Sequence, residues 1–213
     1  HYSKGTTDLE FEFPFGWGEL AGLASRTDYD LKNHAQTSGR NLKYKAPDPL
    51  AGGGEEFWPN VLEPTMGLER LMLAVLCNAY TEVEPRSGDE AAAHEKEIIL
   101  KLPKALAPIK AAVLPLSKKP ELAQPAAQLA DTLAKHFMVQ YDETGSIGKR
   151  YRRQDEIGTI LAVTVDFQTL KDNTVTIRDR DSMQQIRKRV EELVPTISQI
   201  LAGEEFQNMA KNF

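Results

Sequence analysis

The sequence predicts an α/β fold with a mixed sheet in the second half of the chain, and three observations point to it. Between residues 109 and 199, short apolar runs alternate with longer stretches of helical periodicity, as strands joined by helices do. Ahead of them, residues 8–15, Asp-Leu-Glu-Phe-Glu-Phe-Pro-Phe, repeat with period two, the signature of a strand with one buried face. A single apolar helical stretch beginning at Gly67 lies between the two regions.

In the first strand Leu9, Phe11, Phe13 and Phe15 alternate against Glu10 and Glu12, and Pro14 with Gly16 ends or bulges it. Residues 42–60 collect Pro47, Pro49, Gly52, Gly53 and Gly54, which mark a loop or insertion. A short strand at Val61 and Leu62 leads into the helix. There Leu68, Leu71, Met72, Val75, Leu76 and Ala79 recur at helical spacing, while Leu73 and Ala74 make the other side apolar too. A helix buried nearly all round, packed on a sheet, is the expectation. Residues 82–102 are charged and turn-rich, then helix-permissive, and a domain boundary is expected near 102–107. Beyond it the pattern predicts a strand at 109–114, a helix across 121–136, a strand at 137–141 and a polar helical stretch after Gly148. Strands at 160–167 and 174–178 follow, paired antiparallel through a hairpin over Asp172 and Asn173, and a last helix begins at Ser182.

Composition sets the boundaries for function. The 213 residues are 41% apolar and 27% charged, ordinary for a soluble globular protein. The longest apolar run, residues 71–77, is far short of the roughly 18 residues of a membrane span, so no membrane partner is expected. Cys77 alone makes no disulfide and no cysteine metal site, and it fits a reducing, cytoplasmic setting. His1, His34, His94 and His136 are scattered without metal spacing. No signal peptide is expected, and a start at His1 is expected to mark a possible fragment. The net charge of −5 hides a basic stretch: residues 145–189 hold ten Lys and Arg against six Asp and Glu, a local +4. Such a segment can meet a polyanion; its alternative is a solvated mixed-charge surface.

Two stretches carry chemistry. Residues 63–70, Glu-Pro-Thr-Met-Gly-Leu-Glu-Arg, open the apolar helix. Gly67 allows backbone near a ligand, and Arg70 puts a fixed positive charge near the helix start, where an anion is already favoured. The alternative is an Arg70 that pairs with Glu69 or Glu63. Gly145-Ser-Ile-Gly148-Lys149 has two residues between its glycines where a phosphate loop needs four, and Arg150 where it needs Ser or Thr. The following run, Lys-Arg-Tyr-Arg-Arg at 149–153, suits nucleic acid instead, with Arg150, Arg152 and Arg153 at phosphates.

The strand, Glu-Pro-Thr-Met-Gly-Leu-Glu-Arg and long apolar helix resemble the third signature motif of the class II aminoacyl-tRNA synthetases. Residues 13–20, Phe-Pro-Phe-Gly-Trp-Gly-Glu-Leu, with 26–31, Arg-Thr-Asp-Tyr-Asp-Leu, resemble the glycyl-tRNA synthetase family in particular. Residues 145–158, 163–167 (Val-Thr-Val-Asp-Phe) and 177–183 (Ile-Arg-Asp-Arg-Asp-Ser-Met) are similar to that family's anticodon-binding domain.

The resemblance implies an α+β remnant of the class II antiparallel catalytic sheet over 1–104 and an α/β anticodon-binding domain over 105–213. It implies ATP binding at Glu19, Leu20, Gly67, Leu68, Glu69 and Arg70, and glycine binding at Glu63, Thr65 and Gly67. Magnesium would come with ATP rather than from a protein metal site. Thr65 stands where the family usually has Ser; it keeps the hydroxyl and adds a methyl. Anticodon contacts are implied for Lys149, Phe167 and Arg180. Lys149 replaces the Arg of some members, exchanging a bidentate fork for a point charge. For Arg180 the alternative is a strand-end salt bridge with its neighbours, and for Trp17 it is core packing. The implied parent activates glycine with ATP and transfers it to tRNA(Gly) as a homodimer. Nothing in the chain resembles the first two class II motifs, so these 213 residues are expected to be inactive alone. The alternative function is a non-catalytic synthetase-like RNA-binding protein.

Overall fold

The phenylalanine alternation forms a strand, β1 (Gly5–Phe13), which turns at Pro14 and Phe15 into a twelve-residue partner, β2 (Gly16–Thr27). The computed structural model describes residues 3–45, 54–85 and 96–209; by contacts the chain divides into two compact units, residues 1–77 and 78–213. In the first unit β1 and β2 pair antiparallel with a register shift between Leu9 and Glu10, and β2 pairs antiparallel with β5 (Val61–Met66). The strand order is β1-β2-β5, and α1 (Tyr29–Ser38) follows β2. Two short strands, β3 (Tyr44–Lys45) and β4 (Glu56–Phe57), pair within the expected 42–60 loop. Its Pro47, Pro49, Gly52 and Gly53 lie outside the described residues, as do His1 and His94.

Two burial expectations fail here. Of the alternating apolar side chains, Phe13 of β1 is buried, while Leu9 of β1 and Phe15 in the turn after it stand exposed. The helix α2 (Leu68–Ala79) forms as its spacing requires, but only Ala74 and Ala79 are buried, and Leu68, Met72, Leu73 and Leu76 are exposed. Periodicity dictates which residues share a helix face; covering that face takes a neighbouring layer, which three strands do not supply.

The second unit begins with an antiparallel pair, β6 (Tyr80–Val83) and β7 (Glu97–Leu100), in a stretch whose sequence reads as turn-rich and then helix-permissive. Its core is a five-stranded mixed sheet of order β12-β11-β10-β8-β9. The chain runs β8 (Ala111–Pro115), α3 (Pro120–Ala134), β9 (Val139–Tyr141), α4 (Ile147–Glu156) and β10 (Leu161–Val165). The last part is α5 (Thr169–Asp172), β11 (Thr174–Asp179), β12 (Gln185–Arg189), a 3-10 turn over Val190–Glu192, α6 (Leu193–Leu201) and α7 (Phe206–Met209). β8 lies parallel to both β9 and β10, whereas β11 and β12 are antiparallel.

The inner parallel strands β8 and β10 are apolar throughout but for Thr164, because both of their faces are covered, whereas the edge strand β9 is only half-buried. Every residue of β8 and of β10 is buried. Leu122, Ala126, Leu129, Ala130 and Leu133 make the buried stripe of α3. Ile147 and Tyr151 of α4 pack on Ala112, Leu114 and Ala162. Two details depart from expectation. The β10–β11 connection is a short helix closed by Asn173 at φ 56°, not a two-residue hairpin. Gln185–Arg189 is a strand rather than the start of a helix: pairing with β11 buries Ile186 and Lys188 on one face, and the next α-helix, α6, starts at Leu193.

Candidate functional site

In the first unit, pairing sets Asp8, Gly22 and Thr65 in one row across three strands. A Cβ at Gly22 would lie 3.3 Å from Thr65 Oγ1 and 3.4 Å from both Asp8 Oδ1 and Glu19 Oε1. Two carboxylates and a hydroxyl thus converge over the space that this glycine leaves open. Two residues along, Ala24 opposes Glu63, whose Oε2 lies 2.9 Å from Arg26 Nη1. Arg26 also grips Asp30 with Nε and Nη2, at 2.8 and 3.1 Å, which holds the Asp30 carboxyl below its usual range.

Thr65 Oγ1 donates to the Gly22 carbonyl at 3.4 Å, and Arg70 Nη1 donates to the Glu19 carbonyl. Arg70, sited in the first turn of α2, is therefore tied to β2 rather than to Glu69 or Glu63. Glu19, Glu63, Thr65 and Arg70 come together on one sheet and the helix that leaves it. Leu20 is half-buried beside them, whereas Leu68 and Glu69 are exposed. Trp17 is 67% exposed, so its core-packing reading is corrected. Sequence reasoning missed Asp8, because only strand register reveals that it faces Glu19 and Thr65. Among the described residues no three His, Cys, Asp or Glu side chains group as a metal site.

In the second unit the candidate surface lies where the parallel strands β9, β8 and β10 end. β8 leads to β9 on one side, and β10 flanks it on the other, so their exits form a topological switch point, where α/β sheets bind ligands. Ser146 caps α4, its Oγ accepting from Lys149 N at 3.4 Å, and the Lys149 side chain is exposed.

Arg150 requires a correction. It is 1% exposed, and its guanidinium donates to the carbonyls of Pro115, Leu116, Gly145 and Ser146. It staples the β8 exit to the start of α4 and is not at a surface where phosphate passes. Burial lowers its pKa, yet an arginine stays charged, and the carbonyls supply the compensation. Arg152 reaches Glu97 at 3.1 Å. Arg153 holds Asp142 and the Thr144 carbonyl, and against burial the Thr144 N–H and this guanidinium keep the Asp142 carboxyl below its usual range.

Phe167 is 42% exposed at the exit of β10. Its presentation comes from the backbone: Asp166 Oδ1 accepts from Gln168 N at 2.9 Å and Thr169 N at 3.0 Å, and Arg187 grips both carboxylate oxygens at 2.9 Å. The Arg187 bond, helped by Thr169 against burial, draws the Asp166 carboxyl down to about 2. Lys119 Nζ lies 5.4 Å from the centre of the Phe167 ring.

Arg180 is 3% exposed and donates to the carbonyls of Leu100, Gly158 and Leu102 while pairing with Asp181 at 2.8 Å. Its neighbour Arg178 forms a bidentate pair with Asp155 at 3.0 and 2.8 Å and lies over the Tyr151 ring. Both arginines therefore brace the sheet, though not through Asp179 as the strand-end alternative had it: Arg178 pairs with Asp155 of α4, and Arg180 with carbonyls and Asp181. The structure brings Lys149 and Phe167 to the strand-exit end and leaves the Arg180 guanidinium in the interior.

Comparison with known proteins bears on both units. Residues 110–200 match the family model described as an anticodon binding domain. Over 192 residues, 90% of the chain, the sequence is 53% identical to the glycine--tRNA ligase of Clostridium acetobutylicum. Over 206 residues, 95% of the chain, it is 50% identical to that of Corynebacterium efficiens. The chain spans about two-fifths of the length of these relatives, 39% and 43% respectively. A solved structure, the RNA binding domain of threonyl-tRNA synthetase from Cryptosporidium parvum, matches with a TM-score of 0.60 at 18% identity, over 91% of this chain and 42% of that one. At that identity the likeness speaks for the fold alone.

Proposed function

This chain being a homologue of the glycine--tRNA ligases over nine-tenths of its length, we propose that it is the part of such a ligase that carries one wall of the glycine and ATP pocket and the anticodon-binding domain. The parent enzyme would activate glycine with ATP, transfer it to tRNA(Gly), and act as a homodimer in the cytoplasm. We place the domain division at 104/105, for which the family model's match from residue 110 speaks; by contacts the second compact unit already begins at residue 78, with the β6–β7 pair ahead of that domain.

The observation that carries this reading is the convergence of Glu19, Glu63, Thr65 and Arg70, drawn from sequence positions up to fifty-one apart, at one end of a three-stranded sheet. A carboxylate is the strong partner for the glycine ammonium, and Glu63 takes that role with the Thr65 hydroxyl beside it. Arg26 already pairs with Glu63 and holds its carboxylate in place. Arg70, with Gly67, Leu68 and Glu69 at the helix start and Leu20 beside Glu19, faces the ATP side. Magnesium is held by one or two carboxylates together with substrate phosphates, and the Glu19 and Asp8 oxygens that meet over Gly22 fit that donor set. Catalysis of this kind is positioning and charge stabilisation, with no covalent protein intermediate.

On the anticodon side Phe167 offers a ring for a base and Lys149 a charge, while Arg180 and Arg150 hold the scaffold; Arg152 and Arg153 are the remaining phosphate candidates. The rival reading, a binding module without catalysis, gives no reason to keep an acidic pocket tied to Arg70. The test is Glu63→Gln in a protein of the relatives' full length. Glycine-dependent ATP–pyrophosphate exchange should show a KM for glycine raised by the equivalent of about 2–5 kcal/mol. Unchanged glycine kinetics would refute the pocket, as would exchange by these 213 residues alone.

A further inference from the structure

With Arg150 turned inward, the strand-exit surface needs another cation if it is to follow an RNA backbone, and the structure supplies one that no sequence pattern singled out. We propose that Lys119 is a phosphate-contacting residue of this surface, paired with Phe167 so that a base stacks on the ring while the ammonium meets that strand's phosphate. The inference rests on reading residues 110–200 as an anticodon-binding surface.

Three features converge on Lys119. Its Nζ lies 5.4 Å from the Phe167 ring centre, so the cation and the exposed aromatic are already neighbours. Its stem starts from a fixed point: the backbone is extended at φ −62° and ψ 136°, Pro120 follows, and the Lys119 carbonyl accepts from Leu122 N and Ala123 N, both at 2.9 Å. The residue also gives its own helix no benefit. It occupies the N-cap of α3 without a capping side-chain bond, where an oxygen-bearing side chain is preferred, and a cation there adds to the positive end of the helix dipole. Lys118 beside it is exposed as well, and among the described residues no carboxylate pairs with Lys119.

A lysine that strengthens positive potential next to a presented ring is arranged for an anion with an aromatic attached, which is what an unpaired nucleotide is. In the free chain the ammonium rests on the ring face. When a base takes that face, the flexible stem lets the charge swing to the phosphate without moving the backbone.

The whole chain would be titrated with an anticodon stem-loop of tRNA(Gly), and with one of altered anticodon, across a series of salt concentrations, as wild type, Lys119→Gln, Lys119→Arg and Phe167→Ala. For Lys119→Gln the slope of log affinity against log salt should fall by roughly 0.7–0.9, so the loss between about 50 and 200 mM salt shrinks roughly threefold on both RNAs. Lys119→Arg should restore the slope. Phe167→Ala should keep it and lose discrimination between the two loops. An unchanged slope in Lys119→Gln, with wild type binding normally, overturns the inference alone. Absence of binding to either RNA by the wild-type chain overturns the anticodon reading and this inference with it.

Discussion

Replacing Asp166 by Asn removes the charge from the clamp that presents Phe167, and its cost can be worked from the geometry. In the folded chain the Arg187 guanidinium, bonded to both carboxylate oxygens, is the largest cause that, with the Thr169 N–H and hydroxyl and against burial, draws the Asp166 carboxyl from an ordinary 3.8 to about 2. That shift corresponds to about 2 kcal/mol of stability. Because the folded pKa lies below the unfolded one, the contribution is fully present above the unfolded value of 3.8 and disappears as pH falls from there through about 2. The amide oxygen of the Asp166→Asn variant would still accept from Gln168 N and Thr169 N, so the turn should survive while the ion pair goes. Amide exchange at Val163 and Ile177, which face each other across β10 and β11, reports the opening of this core. Near pH 7 the variant should open more easily by up to about 2 kcal/mol, the Thr169 bond keeping part of that, and below about pH 2 the two proteins should converge. A difference that persists at low pH, or none at neutral pH, would refute the clamp.

Three further outcomes follow from particular contacts. At Gly158, φ is +81° and a Cβ would meet the Leu100 carbonyl at 2.9 Å; Gly158→Ala should cost about 1–3 kcal/mol by urea denaturation. Arg150→Ala removes the guanidinium donor from four carbonyls, of which Ser146 keeps the Arg150 N–H, and should lower stability by about 1.5–3 kcal/mol, while leaving the salt slope of RNA binding unchanged, which separates it from Lys119. In a full-length ligase, Gly22→Ala would put a methyl 3.3 Å from Thr65 Oγ1 and should raise the KM for glycine with little change in Tm.

Much of the second unit was legible because its strands are buried on both faces. Unbroken runs such as those of β8 and β10 need no knowledge of partners to be read as strands, and α3 announces itself by Leu122, Leu129 and Leu133. Gln185–Arg189 misled because three of its five residues are cationic; pairing with β11, a long-range event, decides its state. The same limit applies to function. Arg150 and Arg153 look alike in sequence, yet one spans the interior and the other holds Asp142 near the surface. Basic residues in a run rotate by 100° per helical position, so a run cannot say which of them faces solvent. The Glu63–Thr65 and Glu19 motifs were legible by type, but Asp8 and Lys119 enter the sites through register and topology, which link residues too far apart for spacing to show.

The central claim is that the strand exits of the second unit receive an unpaired anticodon. Chemical-shift mapping of the isotope-labelled chain during titration with a tRNA(Gly) anticodon stem-loop addresses it most directly. The account predicts that amide signals of residues 116–119, 146–149 and 166–168 shift together and saturably, and that those of α6 (Leu193–Leu201) stay in place. Shifts confined to other surfaces, or scattered weakly over every exposed lysine and arginine, would contradict it.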